Sequence, residues 1–260
     1  MVALQTNPRI QAWLTMDESS LLLVNGRTKS HPRSEMSVVS AQIVHRLLDV
    51  ERATAPIGEV GSATLVPLTF FCGQHRDAHR DPNGNPAEVA MSLLLQLVDH
   101  VGASVPGDVL RKCQTGTRPL DIASICASLE RVLSSLSNKV IVVLVVDGIK
   151  FFTHPTERRD QMRELVERLV AIYRKRTRAT LKVLFASPAR SEFLEDLFED
   201  DEILSLPRDL PWSAIDGLGC RDRLQLQLLT SESGDEGMES AVSRDDSDNA
   251  GSQGDEEHSS

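Results

Sequence analysis

Residues 140–148 read Val-Ile-Val-Val-Leu-Val-Val-Asp-Gly. Seven apolar, mostly β-branched residues without a polar interruption predict a strand buried on both faces, at the centre of a mostly parallel sheet covered by helices. Four further apolar runs read as strands: 21–24, which stops at Asn25-Gly26; 63–72; 181–186, which ends at Ser187-Pro188; and 202–206. Between these runs the apolar spacing is helical. Residues 10–16 predict a short helix anchored by Trp13. Met36, Val39, Ile43, Val44 and Leu47 follow the N-cap candidate Ser34, and Ala90, Met91, Leu94, Leu95, Leu97 and Val98 follow Asn85-Pro86. Ile122, Ile125, Leu129, Val132 and Leu136 make a third face, and Met162, Leu165, Val166, Leu169 and Ile172 a fourth, on a long helix over 156–178. A short acidic helix is expected over 190–198, whereas 207–229 reads equally as strand or helix. Strands alternating with helices predict an α/β fold, a doubly wound, mostly parallel five-stranded sheet. Right-handed crossovers then place every strand's carboxyl end on one edge. Asp147 falls on that edge, where open α/β sheets hold their ligands. The plainer alternative for Asp147 is a polar residue that ends a core strand.

Composition narrows the picture. The chain of 260 residues has only 4% aromatic residues, so its core must be aliphatic. The formal charge of −10 is concentrated: residues 230–260 carry ten acids against the single Arg244, which leaves a nearly neutral body. The expected organisation is one domain over 1–229 and an acidic, Ser/Gly-rich tail over 230–260, read as disordered. A neutral body offers no clustered cations for nucleic acid. No apolar run approaches the roughly 20 residues needed to span a bilayer, and no secretory leader is visible. Cys72, Cys113, Cys126 and Cys220 show neither a CxxC nor a disulfide-like spacing. That usage fits free thiols in a reducing compartment, and the expected location is cytoplasmic.

The order of the pieces carries a resemblance. LLLVNG with a polar loop and a helix from Ser34, PLTFFCGQH followed by SLLLQLVDH, VVLVVDGI, and KVLFASPARS together resemble the NACHT-like domain of STAND-class P-loop NTPases. The likeness is greatest to the fungal proteins with a nephrocystin-like N-terminal NTPase region, and covers roughly residues 10–210. It implies a P-loop NTPase type of sheet, ATP or ADP with Mg²⁺ as ligand, and a site at Gly26, Lys29, Arg33, Ser34, Asp147, Ser187 and Arg190. In that reading Asp147 faces the Mg²⁺ of the nucleotide. Ser187 and Arg190 stand where the family places a polar sensor and an arginine near the γ-phosphate.

The departures from the family pattern point away from catalysis. A working phosphate loop needs G-x-x-x-x-G-K-S/T, glycines for close backbone approach and a lysine on the β- and γ-phosphates. Counted from Gly26, the lysine position is Pro32 and the hydroxyl position Arg33. Lys29-Ser30 is the right dipeptide too close to Gly26, and Arg33-Ser34 is preceded by a proline that removes a donor. After Asp147 come Gly148, Ile149, Lys150 and Phe151, so no second acid stands ready to orient a water. The expectation is therefore a non-catalytic or residual nucleotide-binding STAND-like module acting in protein interaction or regulation, with protein partners. The alternative is an ATP-binding switch with slow hydrolysis.

Three further constellations carry less. Cys72, His75 and His79 form C-x₂-H-x₃-H beside Asp77 and Asp81, but zinc needs three or four fixed ligands and this loop is hydrophilic. Cys113 and Cys126 lie on or near apolar helix faces with no neighbouring histidine, as inert thiols do. Arg174-Lys175-Arg176-Thr177-Arg178 is either a solvated helix terminus or a contact for phosphates or for the acidic tail.

Overall fold

The computed structural model describes residues 7–27, 34–54, 63–77, 81, 84–102, 105–108, 111 and 121–206. In chain order its main elements are α1 (Pro8–Thr15), β1 (Ser20–Asn25), α2 (Glu35–Thr54), β2 (Thr64–Phe71), α3 (Pro86–Val101), α4 (Ile122–Ser135), β3 (Val140–Asp147), α5 (Thr156–Arg174), β4 (Thr180–Ser187) and β5 (Ile203–Ser205). The strands form one sheet in the order β2-β3-β4-β1-β5, and every described pairing is parallel. The doubly wound α/β architecture is as expected, except that β4, not β3, occupies the middle. β3 is nevertheless enclosed by β2 and β4, which explains its unbroken apolar run.

Alternate strand residues build two cores. Leu22, Val24, Val143, Val145, Leu184 and Ala186 pack with Trp13 of α1 and Met36 and Val39 of α2. Leu21, Leu23, Val142, Leu144, Val146, Val183 and Phe185 face α3, α4 and α5 on the other side. Burial of these aliphatic faces, at about 25 cal/mol per Å² of apolar surface, is the principal drive to this arrangement.

The helix starts follow the sequence signals. Asn85 accepts the Glu88 N–H at 3.0 Å with Pro86 in the first turn, Asp121 caps α4, and Ser34 Oγ accepts the Ser37 N–H at 3.1 Å. Two expectations are corrected. The segment 190–198 forms no α-helix, only the 3₁₀ turn Glu195–Leu197, because Phe193, Leu194, Leu197 and Phe198 turn inward together onto the core. The long helix stops at Arg174 instead of 178, where Arg176 takes a left-handed φ of 49° and turns the chain toward β4.

The outer edge of β2 is closed by a side chain. Gln96 of α3 accepts the Thr69 N–H at 2.8 Å and donates to the Thr69 carbonyl at 2.9 Å, while Ser92 accepts from its amide at 3.0 Å. Gln96 thus stands in for a neighbouring strand and blocks edge pairing. Pro67, which lacks an N–H, is tolerated because β2 is an edge strand. Near the amino end of β4, buried Lys182 donates to the Trp13 carbonyl at 2.9 Å and to the Met16 carbonyl. Burial pushes its pKa down to about 8. No helix among the described residues is long and apolar enough to cross a membrane.

Candidate functional site

From β1 the chain leaves through α2 toward β2; from its neighbour β4 it leaves the other way, toward β5. The strand order therefore reverses between β1 and β4, and the crevice at their carboxyl ends is the position where such sheets bind ligands. Strand alternation distributes the candidate residues around that edge. Asp147, in step with Val143 and Val145, points to the α2 side; Asn25 and Ser187, in step with Leu23 and Phe185, point to the α5 side.

On the α2 side, Asp147 is 1% exposed. Its Oδ1 accepts a hydrogen bond from Ser40 Oγ at 2.9 Å, and among the described residues its Oδ2 has no hydrogen-bond partner. Burial raises the carboxyl pKa above its ordinary value, against the opposing effect of the Ser37 and Ser40 hydroxyls. Ser34, Ser37 and Ser40 recur every third residue from the start of α2, and Ser34 Oγ lies 3.0 Å from Ser37 Oγ. Three hydroxyls on one helix stripe thus lead from the cap to the buried acid. The Cys72 thiol is wholly buried nearby; burial raises its pKa, and the Asp147 charge adds to the effect.

On the α5 side the polar groups are satisfied by one another. Asn25 is 1% exposed; its Oδ1 accepts the Ser191 N–H at 3.1 Å and its Nδ2 donates to Glu195 Oε1 at 3.1 Å. Ser187 Oγ donates to the Ala189 carbonyl at 2.6 Å and accepts from Ser191 Oγ at 2.9 Å. Arg190 closes on Glu195 through Nε at 2.8 Å and Nη2 at 2.7 Å. This bidentate pair holds the Glu195 carboxyl below, and the Arg190 guanidinium above, its ordinary pKa.

Gly26 has a local reason to be glycine. Its N–H donates to the Ser187 carbonyl at 2.8 Å, and an added Cβ would stand 2.5 Å from the Pro188 carbonyl oxygen. Its donor is therefore engaged with β4. Ser34 serves as the α2 cap, and Lys29 and Arg33 lie outside the described residues.

A Mg²⁺ ion with a nucleotide needs only one or two protein carboxylates, the phosphates and waters completing its shell. Asp147, with its one unpartnered oxygen, fits that limited role. Backbone donors from a phosphate loop after β1 would fall within 28–33, outside the described residues.

The loop after β2 is fixed by Arg158. Its guanidinium stacks 3.7 Å from the centre of the Phe152 ring and donates to the His75 and Arg76 carbonyls at 2.7 and 2.9 Å. His75 Nδ1 lies 2.8 Å from Asp81 Oδ2, and His79 falls outside the described residues. Among the described residues no three His, Cys, Asp or Glu side chains are grouped to hold a metal. Cys126 is buried and its thiol pushed up to about 12; Cys113, Cys220 and the tail lie outside the described residues. At the basic end of α5, Arg174 and Lys175 are paired. Arg174 grips Glu202 with two contacts of 2.5 Å, and Lys175 reaches Glu130 at 2.6 Å.

Sequence reasoning singled out Asp147, Ser187, Arg190 and Gly26 but missed Ser37, Ser40, Asn25, Ser191 and Glu195. The i, i+3, i+6 serines were the one available signal.

No family model matches this chain, and no curated protein does. Among solved structures, the Aeropyrum pernix ORC1 protein in complex with DNA is similar at 18% identity and a TM-score of 0.43, covering 76% of this chain and 42% of that one. Caenorhabditis elegans PCH-2 is similar at 11% identity and a TM-score of 0.24, covering 66% of this chain and 42% of that one. The chain thus spans less than half the length of either, and both likenesses are too distant to add to what the residues say.

Proposed function

We propose that this chain is a nucleotide-responsive, non-hydrolysing module on a P-loop type of sheet, of the NACHT-like, STAND-class kind, acting in the cytoplasm through contacts with protein partners. The observation that carries the reading is Asp147: a carboxylate 1% exposed, with one oxygen that has no partner among the described residues, at the carboxyl end of β3 beside the strand-order reversal. A buried acceptor without a donor costs about 1–3 kcal/mol. A cation held there would relieve that cost.

Hydrolysis is disfavoured by what surrounds the acid. Gly148, Ile149, Lys150 and Phe151 follow it without a second carboxylate. Calorimetric titration of the full chain with ATP and with ADP in Mg²⁺, repeated on Asp147→Ala, tests the reading. Micromolar binding lost in the variant, with no phosphate release, is expected. Phosphate release that vanishes with Asp147→Ala would favour the slow-hydrolysing switch, and no binding at all would leave only an interaction scaffold.

A further inference from the structure

We infer that Glu195 is an internal anion latched onto Arg190, and that a polyphosphate engages this edge of the sheet by displacing it. The inference rests on the nucleotide-binding reading and adds a regulatory contact to it. Arg190 follows the end of β4, and its guanidinium is mostly exposed, whereas the Glu195 carboxylate that occupies it is mostly covered. Glu195 Oε1 is shared: it accepts from Arg190 Nε at 2.8 Å and from Nδ2 of buried Asn25 at 3.1 Å. Asn25 immediately precedes Gly26, from which the chain departs toward α2. One carboxylate oxygen therefore joins the exposed arginine to the end of β1.

The surroundings suit a multiply charged anion. Lys150, beyond the end of β3, donates from Nζ to the Arg190 carbonyl at 3.4 Å, so two cations flank the edge. A guanidinium fork matches phosphate as well as it matches carboxylate. An exposed arginine–carboxylate pair is worth only about 0–1 kcal/mol, so a triphosphate with several charges can replace a single carboxylate. The seat survives the exchange, because Asn25 Oδ1 still holds the Ser191 N–H and Ser187 still pairs with Ser191. Apparent affinity falls in proportion to the fraction of molecules in the open state. A latch closed about five to one therefore hides about fivefold in affinity.

The test is calorimetric titration of the full-length wild type, Glu195→Gln, Arg190→Ala and the double variant with ATP–Mg²⁺ and with inorganic tripolyphosphate. Glu195→Gln keeps an oxygen for Asn25 while removing the charge, and circular dichroism checks its fold. The expected result is binding of both probes about fivefold tighter in Glu195→Gln than in wild type, the gain disappearing in the double variant. Equal affinity in wild type and Glu195→Gln, with binding still abolished by Asp147→Ala, overturns the latch and leaves the nucleotide reading standing. Absence of binding in all variants overturns both. A gain that persists in the double variant also overturns the latch, because it would not act through Arg190.

Discussion

The two faces of the sheet solve the same problem in opposite ways. Each buries a polar residue at the carboxyl end of a strand, Asp147 under α2 and Asn25 under the segment 190–198. Asn25 has both side-chain functions matched, to Ser191 and Glu195, and beyond it Ser187 and Arg190 are also partnered. Asp147 takes a hydrogen bond from Ser40 on one oxygen, and its other oxygen has no hydrogen-bond partner among the described residues. A satisfied network is self-sufficient and rigid. A half-satisfied acid is a standing cost, and the difference marks the α2 face as the one on which a bound cation would relieve it.

The sharpest way to break the contrast is to make the satisfied face resemble the other. Asn25→Asp replaces the Nδ2 donor with a carboxylate facing Glu195 Oε1 at the present 3.1 Å. Setting a buried charge without a compensating partner against another acid is expected to cost about 3–5 kcal/mol. The check is the urea midpoint of the full chain. A loss below about 1 kcal/mol would mean that the network is loose and water-filled.

Gly26→Ala has the next largest expected effect. Its Cβ would meet the Pro188 carbonyl oxygen at 2.5 Å, and backbone cannot retreat as a flexible side chain can. Overpacking of this kind costs about 1–3 kcal/mol. The loss should appear without any nucleotide present, which separates a glycine required by β4 from one required by phosphate. An unchanged midpoint would return Gly26 to the phosphate-loop reading.

These two residues show what was legible in the chain. The apolar runs specified the strands, and the caps Ser34 and Asn85 specified two helix starts, because those signals are local. Asp147 at the sheet edge was legible for the same reason. Gly26 was legible as a glycine but not as a contact with Pro188. The Ser92–Gln96 pair, part of the pattern behind the family resemblance, proves to close the β2 edge and says nothing about nucleotide. Ser40 meets Asp147 across 107 positions and Asn25 meets Glu195 across 170. Such pairings depend on strand order, which no local periodicity contains. The helix expected over 190–198 failed because its acidic pattern suggested an exposed face, whereas its four apolar residues fold inward around turns.

Asp147→Asn tests the other face. Burial raises the Asp147 pKa in the folded protein, so the native state holds the proton more tightly than the unfolded chain. The acid's contribution to stability is fully present below the unfolded value of about 3.9 and is lost as pH rises through the higher folded value. Wild type and Asp147→Asn should therefore be close in stability at low pH. At neutral pH the variant should be the more stable by about 1–2 kcal/mol, having removed a buried charge with an unmatched oxygen. Chemical denaturation across that range measures it. A variant less stable than wild type at neutral pH would show that the second oxygen finds a partner in solution.

The smallest expected effect belongs to Arg190→Ala, and it refines the comparison within the satisfied face. The Arg190 side chain is 64% exposed and that of Glu195 19%. Removing the arginine leaves a carboxylate that still accepts from Asn25 and can recruit water for its freed positions. Exposed ion pairs of this kind contribute about 0–1 kcal/mol and weaken with salt. The expected loss is therefore under about 1 kcal/mol, and smaller again in 1 M salt. A loss approaching that of Asn25→Asp would place the stability of the segment in its exposed arginine and make the latch too strong for a ligand to open. A small loss locates the stability in Asn25 and leaves Arg190 free, at little cost, to exchange one anion for another.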